Sequence, residues 1–162
     1  MLSNGEKKLF ELINNDMLKE FAYLFQNGVS INKFAENQAG QSLLGSAIEK
    51  KAYGIVQYLI DVPGLISQRD RHGRAPLMYL SRHFDHKMIN ILKLKGVDLN
   101  QDVGLGRNLL HLAATKKDHR IFDMLVSIGL DKNKVCNRGE TPIDTLNRYS
   151  SKEPEIAKIS NQ

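Results

Sequence analysis

Three short groups of residues have side chains that could take part in chemistry. Cys136 could act as a nucleophile beside a histidine base, and His83-Phe84-Asp85-His86 carries three potential metal ligands. Gly104-Leu105-Gly106 has the glycines of a phosphate-binding loop, but it follows no buried strand and precedes no Lys-Ser/Thr pair. No base can be placed beside Cys136, and no second pair of ligands has the spacing of a metal site. The sequence therefore predicts no catalytic residue, no metal site and no cofactor.

A glycine recurs with a period of 33 residues and sets the phase of the residues around it. The glycines are Gly40, Gly73, Gly106 and Gly139. A leucine or isoleucine follows each of them four residues later, at Leu44, Leu77, Leu110 and Ile143. A period of this length predicts one helical unit, repeated, that buries its apolar face only against its neighbours. We expect one domain, 1–162, with units at about 2–36, 37–69, 70–102, 103–135 and 136–162.

The two terminal units are less regular than the others. Gly5 precedes Gly40 by 35 residues, so two extra residues are expected in the connection at 34–36. Apolar residues at three- and four-residue spacing predict two short helices in each unit. In unit 5 the first helix should run to about Tyr149, and residues 153–159 only suggest a second.

Residue types at the expected helix ends support this division. Ser42 suits a helix N-cap, and Pro76 suits the first turn of a helix, where no backbone N–H is needed. Asn27-Gly28 and Lys95-Gly96 suit helix ends, because glycine adopts the conformation that follows a last helical turn. Each predicted unit is therefore a pair of helices separated by short turns.

Three motifs resemble those of ankyrin repeats. Residues 141–144 (Thr-Pro-Ile-Asp) and 109–114 (Leu-Leu-His-Leu-Ala-Ala) are similar to the family's helix start, T-P-L-H-x-A. Residues 96–100 (Gly-Val-Asp-Leu-Asn) are similar to its exit, G-A-D-V-N. The resemblance covers nearly the whole chain. It implies an all-α solenoid of stacked antiparallel helix pairs with projecting β-hairpin-like fingers, and a concave face of fingers and first helices that binds other proteins.

The resemblance also gives His111 a role. It occupies the helix-start position of the family's histidine, which implies a structural hydrogen-bonding residue that ties adjacent turns together. Units 2 and 3 have Gly45 and Met78 at this position. The loss of the histidine there is expected to affect local rigidity and to leave the architecture unchanged.

Charge is concentrated on the surface that the resemblance makes concave. In each unit we assign to this surface the two residues before the glycine, the one after it, and the ninth and tenth after it. Eight of these residues are cationic and three acidic, a balance that equals the net charge of +5 of the whole chain. The cations are Lys50, Arg71, Arg74, Arg82, Arg107, Lys116, Arg138 and Arg148, and the acids are Glu6, Glu49 and Glu140. Arginine suits bidentate pairing with carboxylate or phosphate.

The part of this surface from unit 3 to unit 5 is called the basic stripe below. It comprises Arg71, His72, Arg74, Arg82, His83, Leu105, Arg107, Lys116, Arg138, Arg148 and Tyr149. Leu105 and Tyr149 are expected to be apolar anchors, and His72 and His83 would gain charge below about pH 6.5. The stripe predicts salt-dependent binding of an acidic segment of another protein. Arg71, Arg74 and Arg107 are expected to be exposed, so that reversing their charge leaves folding intact.

Other uses of the stripe stay open. It could be a solvated face that serves solubility. It could also bind nucleic acid or a phosphorylated lipid headgroup, although the sequence has no nucleic-acid motif and no row of stacking aromatics. The favoured function is a non-catalytic protein-binding module or scaffold. The alternatives are a targeting or regulatory ankyrin domain of a larger enzyme, because unit 5 breaks off in its second helix, and a bacterial effector that acts on host proteins.

Composition narrows the class of protein. With 41% hydrophobic and 25% charged residues the chain is ordinary for a globular protein, and no apolar run approaches the roughly 18 residues of a membrane span. The first residues lack a signal-peptide pattern, and the single cysteine excludes an internal disulfide framework. We expect a cytoplasmic monomer, or a protein delivered into a host cell if it is an effector.

Overall fold

The structure is helical. The computed structural model describes residues 1–28, 32–116 and 118–151, and these contain two isolated β-bridges but no β-sheet. The helices are α1 (Asn4–Asn14), α2 (Leu18–Asn27), α3 (Leu43–Glu49), α4 (Tyr53–Ile60), a 3₁₀ helix (Pro76–Arg82), α5 (His86–Leu94), α6 (Leu109–Ala114), α7 (His119–Ser127) and α8 (Pro142–Ser150). The predicted all-α class is confirmed. The suggested helix at 153–159 lies outside the described residues.

The helices pack in the order in which they occur in the chain. The first helix of each unit contacts the first helix of the next, in the series α1, α3, the 3₁₀ helix, α6 and α8. The second helices α2, α4 and α5 form a parallel series behind them, and α1, α3 and α6 also pack against their own second helices. Each unit therefore buries its apolar face against its neighbours, as a repeat of this length requires.

The apolar positions that follow the period form the core. Leu44, Leu77 and Leu110, each four residues after a periodic glycine, are fully buried. Ile143 stands at the equivalent position of α8 and is 37% exposed. The periodic assignment of the core is confirmed in units 2 to 4, and the unit boundaries stay predictions.

The turns between paired helices carry the same period. Asp16, Lys51 and Phe84 each have a positive φ, of 48°, 58° and 44°. Their spacings are 35 and then 33 residues, the same as those of Gly5, Gly40 and Gly73. The two extra residues of the first connection therefore lie before Gly40, where the sequence places them.

Helix starts depend on capping side chains. The Ser42 hydroxyl accepts a hydrogen bond from the Gly45 N–H at 3.1 Å, which confirms Ser42 as an N-cap. Ala75 stands at the equivalent position of unit 3 and has no side-chain acceptor, and the helix that Pro76 opens there is 3₁₀ rather than α. The i→i+3 bonds of a 3₁₀ helix are one way in which N–H groups without a side-chain cap are satisfied.

Four short turns project between the helix pairs. Each is closed by a backbone hydrogen bond between residues four apart, at 37–41, 70–74, 103–107 and 136–140. We call these turns fingers 2 to 5. The finger residues and the first helices carry the basic stripe.

Candidate protein-binding surface

Four arginines of the basic stripe are already paired with carboxylates of the same chain. The nitrogen–oxygen distances are 3.0 Å for Arg71–Glu36, 2.9 Å for Arg74–Asp70, 3.1 Å for Arg82–Glu49 and 2.9 Å for Arg148–Glu140. Two of these pairs join successive units, because Glu36 adjoins finger 2 and Glu49 lies in α3, whereas Arg71 and Arg82 belong to unit 3. The part of the stripe in unit 3 is therefore largely neutralised.

Ion pairs also join the same two units away from the stripe. Lys51 contacts the Asp85 carboxylate at 3.2 Å, and Lys95 contacts the Asp61 carboxylate at 2.5 Å. Asp85 in addition accepts a hydrogen bond from the Tyr53 hydroxyl at 3.1 Å. The junction between units 2 and 3 is therefore rich in charged contacts.

Asp70 is the hub of finger 3. Its side chain is 0% exposed and accepts hydrogen bonds from the Tyr79 hydroxyl at 2.6 Å and from Arg74 Nε at 2.9 Å. The backbone N–H groups of His72 and Arg74 donate to it at 2.8 and 3.1 Å. Burial raises the pKa of the Asp70 carboxyl, but these hydrogen bonds outweigh burial and hold its pKa below the ordinary value.

Arg74 does not meet the prediction of exposure. Its side chain is 25% exposed, its guanidinium lies 5.2 Å from the centre of the Tyr79 ring, and it is paired with buried Asp70. Arg107 is also half-buried, whereas Arg71 is exposed as expected. Reversing the charge of Arg74 would bring two carboxylates together in a buried site, so a variant of that kind would report on folding as well as binding.

Apart from Arg148, the cations of the stripe in units 4 and 5 are arranged differently. Arg107 Nε donates to the carbonyl oxygen of Gly104 in its own finger at 3.1 Å. Among the described residues, Arg107, Lys116 and Arg138 have no carboxylate oxygen within 4.0 Å. Lys116 and Arg138 are exposed. The positive charge that remains free for a partner therefore lies toward units 4 and 5.

The two expected anchors differ in exposure. Leu105 is 61% exposed at the tip of finger 4. Tyr149 is half-buried, and the Arg148 guanidinium covers its ring at 4.9 Å from the centre. His72 and His83 are both exposed beside the paired arginines of unit 3. Leu105 is therefore the more accessible of the two anchors.

His111 has the structural role that the resemblance implies. It is buried at the start of α6, where Nδ1 accepts from the Asn108 N–H at 3.2 Å. Its Nε2 donates to the carbonyl oxygen of Glu140 in finger 5 at 3.1 Å. Burial lowers the pKa of His111, and the nearby charges of Arg107 and Lys134 lower it further. The neutral ring thus ties unit 4 to unit 5.

We expect the stability of the chain to fall as the pH drops below 6.5, the ordinary pKa of histidine. Because the folded-state pKa of His111 is depressed, the unfolded chain binds the proton first, and folding stability is lost until the pH passes the folded-state pKa. Urea midpoints measured between neutral and mildly acidic pH test this. In His111→Gln the slope over this range should be smaller than in the wild type. Equal slopes would contradict the assignment to His111.

Cys136, Phe84 and Asp85, which belong to the catalytic and metal-binding candidates of the sequence, have structural roles. Cys136 is 8% exposed, and its N–H and carbonyl close finger 5. Phe84 and Asp85 lie in the turn before α5, where the Asp85 carboxylate caps the helix through the Met88 N–H. Within the described residues, no three His, Cys, Asp or Glu side chains come together as a metal site would need. In the same residues, no helix is long and apolar enough to cross the lipid bilayer.

A groove lies beside the first unit. It has a volume of about 1090 Å³ and is lined by Phe10 of α1, Phe34 and, at its polar edge, Glu36 and Arg71. The Glu36–Arg71 ion pair closes that edge, and Arg71 Nη2 also donates to the Asn37 carbonyl at 2.9 Å. The groove therefore combines the aromatic side chains of Phe10 and Phe34 with charged side chains, those of Lys7 and of the Glu36–Arg71 pair.

Asp70, Tyr79 and Glu36 matter to the stripe, although the sequence did not single them out. Asp70 stands three residues before its glycine, where the other fingers have Asn37, Val103 and Cys136. Only finger 3 of these four has an acid at this position, and it lies beside Arg71 and Arg74. This acid was the sign in the sequence that an internal ion pair forms.

Comparison with known proteins finds an ankyrin repeat protein among the relatives of the chain. No protein-family model matches it. An ankyrin repeat protein of fowlpox virus (strain NVSL) is 32% identical over 122 residues, which are 73% of this chain. The chain is similar to ankyrin-repeat proteins. This similarity and the periodic helix pairs support an ankyrin-repeat nature.

Two further relatives are longer proteins with other names. L-asparaginase of Dirofilaria immitis is 24% identical over 86% of the chain, and Protein glp-1 of Caenorhabditis elegans is 29% identical over 66% of it. The chain spans 36% of the length of the viral relative, 23% of the asparaginase and 9% of glp-1. The shared region is thus a small part of each relative, and the viral relative is the one named for its repeats.

Proposed function

We propose that the chain is a non-catalytic protein-interaction module that binds an acidic segment of a partner protein. The similarity to an ankyrin repeat protein supports a protein-binding role, since stacked helix pairs with fingers at one edge present an extended surface. The successive packing of first helices supports a solenoid with this surface on its concave side. Binding of this kind uses the exposed surface of the chain and requires no cofactor.

The observation that carries the proposal is the difference between the two halves of the basic stripe. In unit 3 all three arginines are paired with internal carboxylates, whereas in units 4 and 5 only Arg148 is paired. Arg107, Lys116 and Arg138 have no carboxylate oxygen within 4.0 Å among the described residues. A face that is basic only for solubility would not need its paired cations to be separated from its unpaired ones. Free cations at one end attract an acidic segment, raise its association rate and make its affinity depend on salt.

The test is a quantitative pull-down with three baits. Lys116→Glu/Arg138→Glu reverses two exposed cations of the stripe, and Lys93→Glu/Lys132→Glu makes the same change in net charge at exposed positions outside it. We expect the first variant to lose partners that the wild type and the second variant both retain. For a purified partner, Kd at low salt should rise about tenfold, mainly through a slower association rate.

Equal capture by all three baits would contradict binding through the stripe. The thermal midpoints of the two variants provide the control for folding, because both replace surface side chains and should leave stability within about 0.5 kcal/mol of the wild type.

A second candidate function is a regulatory domain within a larger enzyme. One relative is an L-asparaginase, of which the chain spans 23%. The size of the native protein on an immunoblot separates the two functions, since a product of 18.3 kDa would contradict a larger enzyme. The bacterial effector stays a prediction without support from these relatives, which come from a virus and two nematodes. A cytoplasmic, monomeric state is likewise part of the proposal.

A further inference from the structure

Finger 4 turns differently from the other three. In fingers 2, 3 and 5 the N–H of the periodic glycine donates a hydrogen bond to the backbone carbonyl of the residue three positions before it. The distances are 2.9, 2.8 and 2.9 Å. In finger 4 the corresponding bond is shifted by one residue, from Arg107 N–H to the Gly104 carbonyl at 3.2 Å. Leu105 and Gly106 then form a two-residue hairpin turn in which both have a positive φ, of 59° and 72°.

Leu105 is an unfavourable residue for this position. A left-handed conformation crowds the Cβ of a bulky L-residue, and a turn with two positive φ angles usually carries Asn-Gly or Gly-Gly. The side chain is 61% exposed, so it adds little to the core. The burial of the Leu105 side chain therefore does not offset the backbone strain, and strain of this kind is concentrated at functional sites.

The backbone of finger 4 is held from both sides. Ala75 N–H donates to the Val103 carbonyl at 3.1 Å, and Asn137 N–H donates to the Leu105 carbonyl at 3.0 Å. Gly106 lies so close to Asn137 that an added Cβ would come within 2.5 Å of its side-chain oxygen. Leu105 is therefore presented on a fixed backbone, which reduces the conformational entropy lost on binding.

Leu105 is also next to the free cations of the stripe. Arg107 is two residues away in the same turn, and Arg138 follows Asn137, whose backbone bonds to Leu105. A rigid apolar side chain flanked by positive charge is complementary to an apolar residue flanked by carboxylates.

We propose that Leu105 is the apolar anchor of the binding surface, and that its partner is a protein segment carrying a bulky apolar residue flanked by Asp or Glu. This inference rests on the proposed function and adds to it the sequence character of the partner. It also explains why a strained leucine stands where asparagine or glycine would fold more readily.

The experiment uses a phage-displayed library of random peptides selected on the full chain, followed by affinity measurements on the enriched peptides as synthetic ligands. We expect enrichment of apolar residues with adjacent Asp or Glu. Leu105→Asn should raise Kd roughly thirtyfold, the change typical of a hot-spot residue. Leu94→Asn removes a leucine that is 79% exposed at the end of α5, and it should leave Kd within about twofold of the wild type.

The thermal midpoint of Leu105→Asn separates an anchor from a folding residue. Because asparagine tolerates the left-handed conformation, the midpoint should be equal to or higher than that of the wild type. A clear fall in the midpoint would overturn the inference by giving Leu105 a structural role.

The remaining outcomes distinguish this inference from the proposed function. If acidic peptides bind and lose affinity with Lys116→Glu/Arg138→Glu but not with Leu105→Asn, the anchor is wrong and the proposed function stands. If the enriched peptides lack acidic residues and bind both variants as tightly as the wild type, both are wrong. A selection that enriches no peptide above background counts against both.

Discussion

Asp70→Ala is expected to lower the free energy of unfolding by about 3 kcal/mol. The substitution removes a fully buried carboxylate that accepts hydrogen bonds from Tyr79, Arg74 and two backbone N–H groups. The Arg74 guanidinium then loses its charge partner in a half-buried site, and the Tyr79 hydroxyl loses its acceptor. For a chain of 162 residues, a change of this size lowers the thermal midpoint by about 6–12 °C.

Two further variants test the cause. Asp123→Ala removes an exposed carboxylate on α7 and should change stability by less than about 0.5 kcal/mol. Asp70→Asn keeps an acceptor for Tyr79 and should be less harmful than Asp70→Ala. If Asp70→Ala unfolds at the same denaturant concentration as Asp123→Ala, the hub contributes no net stability.

The same hub predicts a response to acid. The folded-state pKa of Asp70 lies below 3.8, its ordinary value, so the unfolded chain takes up the proton first as the pH falls. The stability that Asp70 contributes is complete above that ordinary value and is lost as the pH falls through the folded-state pKa. Asp70→Asn should therefore show a weaker loss of stability than the wild type in this acidic range.

Gly45→Ala and Gly54→Ala are expected to change stability in opposite directions. Both glycines lie in α-helices, α3 and α4, where alanine is favoured over glycine by about 1 kcal/mol. A Cβ on Gly45 would lie 2.8 Å from two carbons of the buried Tyr79 ring, whereas a Cβ on Gly54 would meet its neighbours at 3.4–3.5 Å.

At Gly45 the clash outweighs the gain in helix propensity. Moving the Tyr79 ring away also weakens its hydrogen bond to Asp70, and we expect a net loss of about 2 kcal/mol. Gly54→Ala should be neutral or stabilising by up to about 1 kcal/mol. Urea denaturation measures both. In a Tyr79→Ala background the cost of Gly45→Ala should largely disappear, and additive costs would argue against the contact with Tyr79.

Features that repeat with the glycine period could be predicted from the sequence. Ser42 caps its helix, His111 bridges two units, and the core leucines are buried, because each depends on one residue type at one position of a unit. The Arg71–Glu36 ion pair could not be predicted in this way. Arg71 meets Glu36 because their side chains converge across two units, and Glu36 lies outside the five positions counted as concave.

Features in which one unit differs from the others could not be predicted from the sequence either. Tyr79 fills the space above Gly45, so a large residue in one unit matches a missing side chain in the preceding unit. The left-handed Leu105 follows from a hydrogen bond that shifts by one residue in a single finger. The first is a contact between two units, and the second is a turn found in one finger only, so neither follows from the residue types that repeat.

The contacts between successive units differ in their chemistry. Different solvents are therefore expected to weaken different junctions between units. Charged pairs such as Arg82–Glu49 and Lys51–Asp85 join units 2 and 3, and dissolved salt screens such pairs. Between units 4 and 5 stands the neutral His111 ring, which acid would protonate. We therefore expect high ionic strength to weaken the junction between units 2 and 3, and mild acid to weaken the junction between units 4 and 5. The same protein would then open first at one junction in concentrated salt and at the other junction in mild acid.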